Sequence, residues 1–170
     1  LVLARSDGRG PTRQLTSGGS RFRFAPTWSP DSKHIFFSDM SGARWLHTIE
    51  SSETRQIDQD PWAAVSRSSW SPDSRWLAFS RSRDNARTGL ASVWLYNIQT
   101  GEKTQVTTGM FNDSWPTFDR EGKYLYLASN RNFTTPLYED LGTTFVYSET
   151  DVVMVVPLRK DLPSPFAPES

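Results

Sequence analysis

The chain has 170 residues, with 19 Lys and Arg balanced by 19 Asp and Glu, two His and no Cys. That length allows one ordinary domain whose core needs no metal or disulfide staple, and the absence of Cys excludes a disulfide framework, a Cys-ligated zinc site and a Cys nucleophile. Zero formal net charge, with basic residues scattered among acids, argues against nucleic acid as a partner. The longest apolar run, Val152-Val153-Met154-Val155-Val156, is far short of the about 20 residues that a membrane-spanning helix needs, so no membrane insertion is expected. Leu1–Arg5 has neither the basic nor the apolar region of a signal peptide. With no initiator Met, the chain is expected to be part of something longer.

Seven Trp, ten Phe and five Tyr are interleaved with eleven Pro and ten Gly. Short apolar runs bounded by turn residues, with no long helix-period stretch, predict an all-β chain. In chain order, residues 1–17 read as two strands that end in Gln14-Leu15-Thr16. Residues 18–60 contain Trp28-Ser29-Pro30-Asp31-Ser32-Lys33, the apolar run Ile35-Phe36-Phe37, then Trp45-Leu46-His47 and Gln56-Ile57-Asp58. Residues 61–109 repeat the order: Trp70-Ser71-Pro72-Asp73-Ser74-Arg75, Leu77-Ala78-Phe79, Trp94-Leu95-Tyr96 and Gln105-Val106-Thr107. Residues 110–158 repeat it again from Phe118-Asp119-Arg120-Glu121-Gly122-Lys123, with a long connection Asn130–Asp151 before Val152–Leu158. The motif aromatics Trp28 and Trp70 lie 42 residues apart, and Phe118 follows after another 48.

Four short strands per repeat of about 40–50 residues is the pattern of a β-propeller blade. Strand a ends at the motif aromatic, Ser-Pro-Asp-Ser makes the turn, and strands b, c and d follow. Pro presets φ at the second turn position and Asp bonds the backbone ahead of it. The expected fold is therefore a β-propeller fragment of four-stranded antiparallel blades. It holds strands c and d of a preceding blade (1–17), two complete blades (18–60 and 61–109), a last blade (110–158) and an extended linker (159–170). Its open blade faces predict that the chain is a piece of a larger propeller or that copies associate to cover them.

The repeat Trp-Ser-Pro-Asp-Ser-Lys/Arg, followed by an apolar strand, resembles that of TolB-type and tricorn-type propellers. Gly122 through Phe133, then Pro136-Leu137-Tyr138 and Leu158 through Phe166, resemble the end of the second propeller in tricorn-type serine proteases. Ser32 and Ser74 stand where that family usually has Gly. The resemblance implies a parent serine peptidase whose catalytic domains lie elsewhere, with this segment gating, channelling or docking peptide. It also implies peptides or unfolded polypeptide, and the remaining domains of the parent chain, as partners. The alternative is a noncatalytic TolB-like protein-interaction propeller.

No catalytic residue, cofactor or metal is expected within the segment. A Ser-His-Asp site needs a His poised to carry a proton. His34, however, occupies the repeat position of Trp76 and Tyr124, and His47 that of Tyr96. Asp58, Asp60, Glu139 and Asp140 read as solvated loop charges without calcium-loop spacing. Recurring Trp28, Trp70, Trp45 and Trp94 read as packing between blades, whereas Trp62 and Trp115 fall near d–a connections and are expected at an exposed rim.

In a propeller the d–a and b–c connections share one face. That face would carry Arg21, Arg23, Phe24, Pro61, Trp62, Arg67, Phe111, Asn112 and Asp113 from d–a segments, and Arg81, Arg83, Asp84, Arg87, Asn130, Arg131, Phe133 and Tyr138 from b–c segments. Arg23, Arg67, Arg83, Arg87, Arg131, Trp62 and Phe133 are the peptide-binding candidates, because guanidinium forks suit carboxylates and peptide carbonyls and aromatic rings supply apolar area.

Overall fold

The computed structural model describes residues 1–16, 22–64, 67–83, 90–132 and 149–167, together with the backbone of 136–140 and 144–147. The chain divides into two units, Leu1–Val65 and Ser66–Ser170. The described residues hold strands joined by turns, and no helix among them is long and apolar enough to cross a membrane.

In the first unit, β1 (Val2–Leu3) and β2 (Arg13–Gln14) form an antiparallel ribbon. Next come β3 (Arg23–Trp28), β4 (His34–Asp39), β5 (Ala43–Thr48) and β6 (Thr54–Gln59), hydrogen-bonded in that order as one antiparallel meander. Strand β4 is buried from Ile35 to Asp39, as expected of a strand covered on both faces. Ile35 and Phe37 pack with Leu15, with Leu1 and Leu3 from the ribbon, and with Trp45 and Ile49.

In the second unit, β7 (Ser68–Trp70), β8 (Trp76–Ser82), β9 (Ala91–Asn97) and β10 (Lys103–Gln105) make the same meander. The next sheet has the order β11 (Asp113–Phe118), β12 (Tyr124–Ser129) and β15 (Val152–Pro157), and β15 pairs with β12 in unbroken register from Ser129↔Val152 to Tyr124↔Pro157. The two sheets share a core of Ala78, Val93, Leu125 and Leu127, with Leu95, Val106, Phe118, Met154 and Val156 packed around it. Between β12 and β15 the chain rises into its own antiparallel ribbon of β13 (Pro136–Asp140) and β14 (Thr144–Tyr147). Asn132 N donates to Thr150 O at 3.0 Å at the base of that ribbon. The long connection is thus partly strand, a feature hidden by its mixed polar and aromatic sequence. Beyond β15, Leu162 N donates to Arg159 O and Ala167 N to Ser164 O in two turns, and Tyr124 O–H donates to Pro163 O at 2.8 Å.

The repeated turn is built identically in two copies and by different chemistry in the third. Ser29 Oγ donates to Asp31 Oδ1 at 2.6 Å and accepts from His34 N at 2.9 Å, while Asp31 Oδ1 also accepts from Lys33 N. Ser71, Asp73, Arg75 and Trp76 reproduce each of these bonds. In the third copy Asp119 stands in the Ser position, and its Oδ1 takes both Lys123 N at 2.7 Å and Tyr124 N at 2.9 Å. One carboxylate therefore does the work of a hydroxyl and a carboxylate. All three turns need a left-handed residue at the same place: Ser32 at φ +61°, Ser74 at φ +61° and Gly122 at φ +67°.

Two packing expectations are corrected. Trp28 is 45% exposed rather than buried between sheets. Asp58 and Asp60 are not solvated loop charges: both are buried, and Arg44 Nη1 bonds Asp58 Oδ2 at 2.9 Å while Nη2 bonds Asp60 Oδ2 at 3.2 Å. The β5–β6 register sets Arg44 opposite Asp58, so the cation is enclosed together with its counter-ions.

Candidate peptide-binding face

Strand a is where the backbone departs from regular geometry. In β3 the register shifts between Phe24 and Thr27, and Ala25 has φ +48°; in β11 it shifts between Ser114 and Thr117, and Trp115 has φ +57°. Each left-handed residue precedes a proline, Pro26 or Pro116. A large non-glycine side chain in this region is strained, and such strain persists only where the surroundings impose it. The bulge turns Trp115 outward, leaving it 55% exposed. Counting back from the motif aromatics, Arg67 occupies in its repeat the place that Trp115 and Ala25 occupy in theirs.

These two equivalent positions meet. The exposed Arg67 guanidinium lies 4.2 Å from the centroid of the Trp115 ring. A second cation is held just beyond β12: Arg131 lies 4.6 Å over Phe111, its Nη2 bonds the buried Asp113 Oδ1 at 2.9 Å, and its Nε donates to Ser129 Oγ at 2.6 Å. Asn130 Oδ1 accepts from Asn112 N at 2.7 Å, tying the d–a segment to the end of β12. Arg67 is stacked with an open donor edge, whereas Arg131 is committed to a carboxylate.

The other candidates are distributed as follows. Arg23 opens β3, where its Nη1 donates to Thr16 Oγ1 at 2.5 Å and its guanidinium sits 5.8 Å from the Phe37 ring. Trp62 is 54% exposed, and its N–H donates to Asp60 Oδ1 at 3.0 Å. Arg83 Nη1 reaches Gly109 O at 3.4 Å and lines a cavity of about 250 Å³ with Arg81, Ser92 and Trp94. Arg87 and Phe133 lie outside the described residues. Trp62 and Trp115 are exposed, as expected at a rim.

Both histidines are held inside sheets. His47 is fully buried, with Nδ1 against Thr54 Oγ1 at 2.8 Å, and burial keeps its pKa below the ordinary imidazole value, aided by Arg13. Burial likewise lowers His34, whose Nδ1 lies 3.3 Å from Thr48 Oγ1. Among the described residues, no group of three or more His, Asp or Glu side chains is placed to hold a metal ion.

Sequence reasoning missed the meeting of Arg67 with Trp115, although the repeat alignment contained the signal: both stand three residues before the motif aromatic. It also missed the Arg44 cluster, whose signal was a lone cation inside the apolar strand Ala43-Arg44-Trp45-Leu46.

The family model described as the tricorn protease second beta propeller domain matches residues 1–170. The chain belongs to this family. Over 141 residues this tricorn propeller segment is 29% identical to tricorn protease homolog 1 of Streptomyces coelicolor, covering 83% of the segment and 13% of that protein. It is also 29% identical over 145 residues to the tricorn protease of Thermoplasma volcanium, covering 84% of the segment and 14% of that protein. Among solved structures, a tricorn protease crystal structure superposes with a TM-score of 0.75 at 20% identity, over 84% of the segment and 14% of that chain. TolB from Acinetobacter baumannii superposes with a TM-score of 0.57 at 21% identity, over 84% of the segment and 35% of that chain. The fold is thus an all-β propeller fragment, and the tricorn segment spans about one-seventh of the length of these curated tricorn relatives.

Proposed function

We propose that this tricorn propeller segment docks peptide and gates its passage to a serine peptidase centre carried elsewhere in the parent protein. The observation that supports this reading is the Arg67–Trp115 pair: an exposed guanidinium at 4.2 Å from an exposed indole that a strained bulge turns outward. Arg67 offers donors to peptide carbonyls and carboxylates, and the Trp115 ring offers a flat apolar surface to side chains. Stacking also restricts the guanidinium before binding, which lowers the ordering cost of capturing a flexible ligand.

The test is fluorescence anisotropy of labelled peptides of 6 to 15 residues on the full-length protein, with Arg67→Ala and Trp115→Ala variants. Each variant is expected to weaken binding about tenfold, the scale of one well-placed aromatic or Arg contact, and to lower peptidase kcat/KM on the same peptides. Unchanged binding in both variants would remove the pair from the docking surface and overturn the reading.

A further inference from the structure

In the second unit a groove opens at the strand ends away from Arg67 and Trp115. Arg67 precedes β7, whereas Ser71 and Pro72 follow it; Trp115 lies within β11, whereas Glu121 and Gly122 lie beyond it. These two turns and Leu158 enclose a cavity of about 420 Å³ with Trp76 of β8, Leu95 of β9 and Thr104 of β10. An added Cβ at Gly122 would stand 3.5 Å from Pro72 Cδ, so the two turns approach closely. Leu95 and Leu158 pack on the core of Ala78, Val93, Leu125 and Leu127, and Leu158 N donates to Lys123 O at 2.9 Å. The floor is therefore part of the folded sheets, and a ligand does not have to order it.

The charged groups at the edge of the groove have partners within the fold. Lys123 Nζ meets Glu121 Oε2 at 2.5 Å, and Arg159 Nη2 meets Asp161 Oδ2 at 2.7 Å. Asp73 Oδ1 accepts from Ser71 Oγ at 2.6 Å and from Arg75 N at 3.0 Å. A neutral donor is left over. Each repeat places a ring at the start of its second strand, and two of the three rings have polar partners. His34 Nδ1 lies 3.3 Å from Thr48 Oγ1, and Tyr124 O–H donates to Pro163 O at 2.8 Å. Trp76 is half-buried and bonds through its backbone N to Ser71 Oγ, but its indole N–H has no partner among the described residues. That N–H is open to solvent rather than shut inside the sheet.

We propose that this groove binds a proline-containing segment of a peptide in the extended polyproline conformation, with the Trp76 N–H donating to one of its carbonyls. The third repeat supplies the precedent: Tyr124, at the position of Trp76, donates to a carbonyl of the chain's own Leu162-Pro163-Ser164-Pro165. A polyproline backbone has no internal hydrogen bonds, so its carbonyls need outside donors, and its stiffness lowers the entropy lost on binding. The exposed Thr104 hydroxyl adds a second donor, and Pro72, Leu95 and Leu158 offer apolar area to the ligand's rings. One residue each from β8, β9 and β10 lines the groove, so no strand edge runs along it to pair with a ligand backbone. The paired charges at the edge favour an uncharged segment. This site is separate from the Arg67–Trp115 pair and does not depend on that pair docking peptide.

The experiment compares two labelled, uncharged peptides on the full-length protein, one with a Pro-Leu-Pro-Pro-Leu-Pro core and one with Ala at each Pro. The Pro peptide should bind about tenfold more tightly. Trp76→Phe keeps a ring and removes the N–H; it should weaken the Pro peptide about fivefold, the scale of one neutral hydrogen bond, at an unchanged urea midpoint. Arg67→Ala should leave the preference for Pro intact, which distinguishes this groove from the other site. Equal affinity for the two peptides in the wild type overturns the proposal, as does a Pro preference that Trp76→Phe leaves unchanged. A preference lost in Arg67→Ala but kept in Trp76→Phe would belong to the other site and likewise overturn it. Self-association that is lost in Trp76→Phe, without binding of the Pro peptide, would assign the groove to a second copy of the chain and overturn the proposal.

Discussion

Arg44 Nη2 donates to Asp60 Oδ2 at 3.2 Å, and neither side chain has exposed surface. The other oxygen of Asp60 accepts from Trp62 N at 3.0 Å and Ala64 N at 3.1 Å. One carboxylate therefore neutralises a buried cation and also shapes the connection that carries exposed Trp62. Asp60→Ala removes both, leaving Arg44 with Asp58 as its remaining carboxylate partner in the cluster. Truncating one partner of a buried ion pair costs about 3–5 kcal/mol, read as a lower urea midpoint at unchanged slope. A loss below about 1 kcal/mol, the scale of an exposed pair, would show that the cluster does not stabilise the sheet.

Gly42 sits in the tight β4–β5 turn at φ +80°, and a Cβ there would come within 2.6 Å of Asp60 O and 2.7 Å of Ala63 Cα. Both are backbone atoms, so the strain cannot be relieved by rotating a side chain. Gly42→Ala is expected to destabilise by at least about 1–3 kcal/mol from backbone conformation alone. Thermal unfolding measures it, and an unchanged Tm would mean that the turn has room to shift.

Ser32 is exposed and left-handed at φ +61°, in the place where the third repeat has Gly122. Its role differs from that of Ser29, whose hydroxyl is bonded within the turn. Ser32→Gly relieves the conformational penalty and is expected to raise stability by up to about 1 kcal/mol, partly offset by the greater freedom of glycine in the unfolded chain. The reverse change, Gly122→Ser, should lower it by a similar amount. Opposite signs in the two unfolding midpoints are the expected result.

Acid should unfold the protein in two stages. Burial lowers His34 and His47, so below pH about 6.5 the unfolded chain takes protons that the folded chain refuses. Their contribution is full above that pH and is lost as pH falls toward their folded values. Asp31, Asp39 and Asp119 add a second stage. Burial raises each, but the Ser29 hydroxyl at Asp31, the Ser41 and Trp45 donors at Asp39 and the backbone N–H groups at Asp119 outweigh it, leaving all three below the usual carboxylate value. Their contribution is present above about pH 4 and is lost below it. Urea midpoints should fall below pH about 6.5 and fall again below about 4. His47→Gln, where it folds, should flatten part of the first fall; a midpoint that rises between pH 7 and 5 would contradict the burial account.

Much of the fold was legible because blade construction is local. A strand needs its apolar run, and the turn before it needs a residue that presets φ and a side chain that caps the backbone. Ser29-Pro30-Asp31-Ser32 and Ser71-Pro72-Asp73-Ser74 supply these within a few residues, so repetition alone revealed the strand order. The ribbon from Pro136 to Tyr147 was less legible, because its strands lack the repeat's turn chemistry.

The candidate site depended on contacts distant in sequence. Arg67 and Trp115 are 48 residues apart, and the packing of two sheets around Leu125 and Leu127 brings the residue before β7 to the bulge of β11. Whether Asp58 and Asp60 were solvated or enclosed was likewise undecided in one dimension, since a carboxylate at a strand end suits either environment; the β5–β6 register settled it by setting Arg44 opposite Asp58. The sequence by itself determined the repeating antiparallel strands and their capped turns, which follow from periodicity and backbone chemistry over a few residues. Only the tertiary structure decided which charges are buried, which rings are exposed and which guanidinium groups face a cavity, because those outcomes depend on which sheet faces meet.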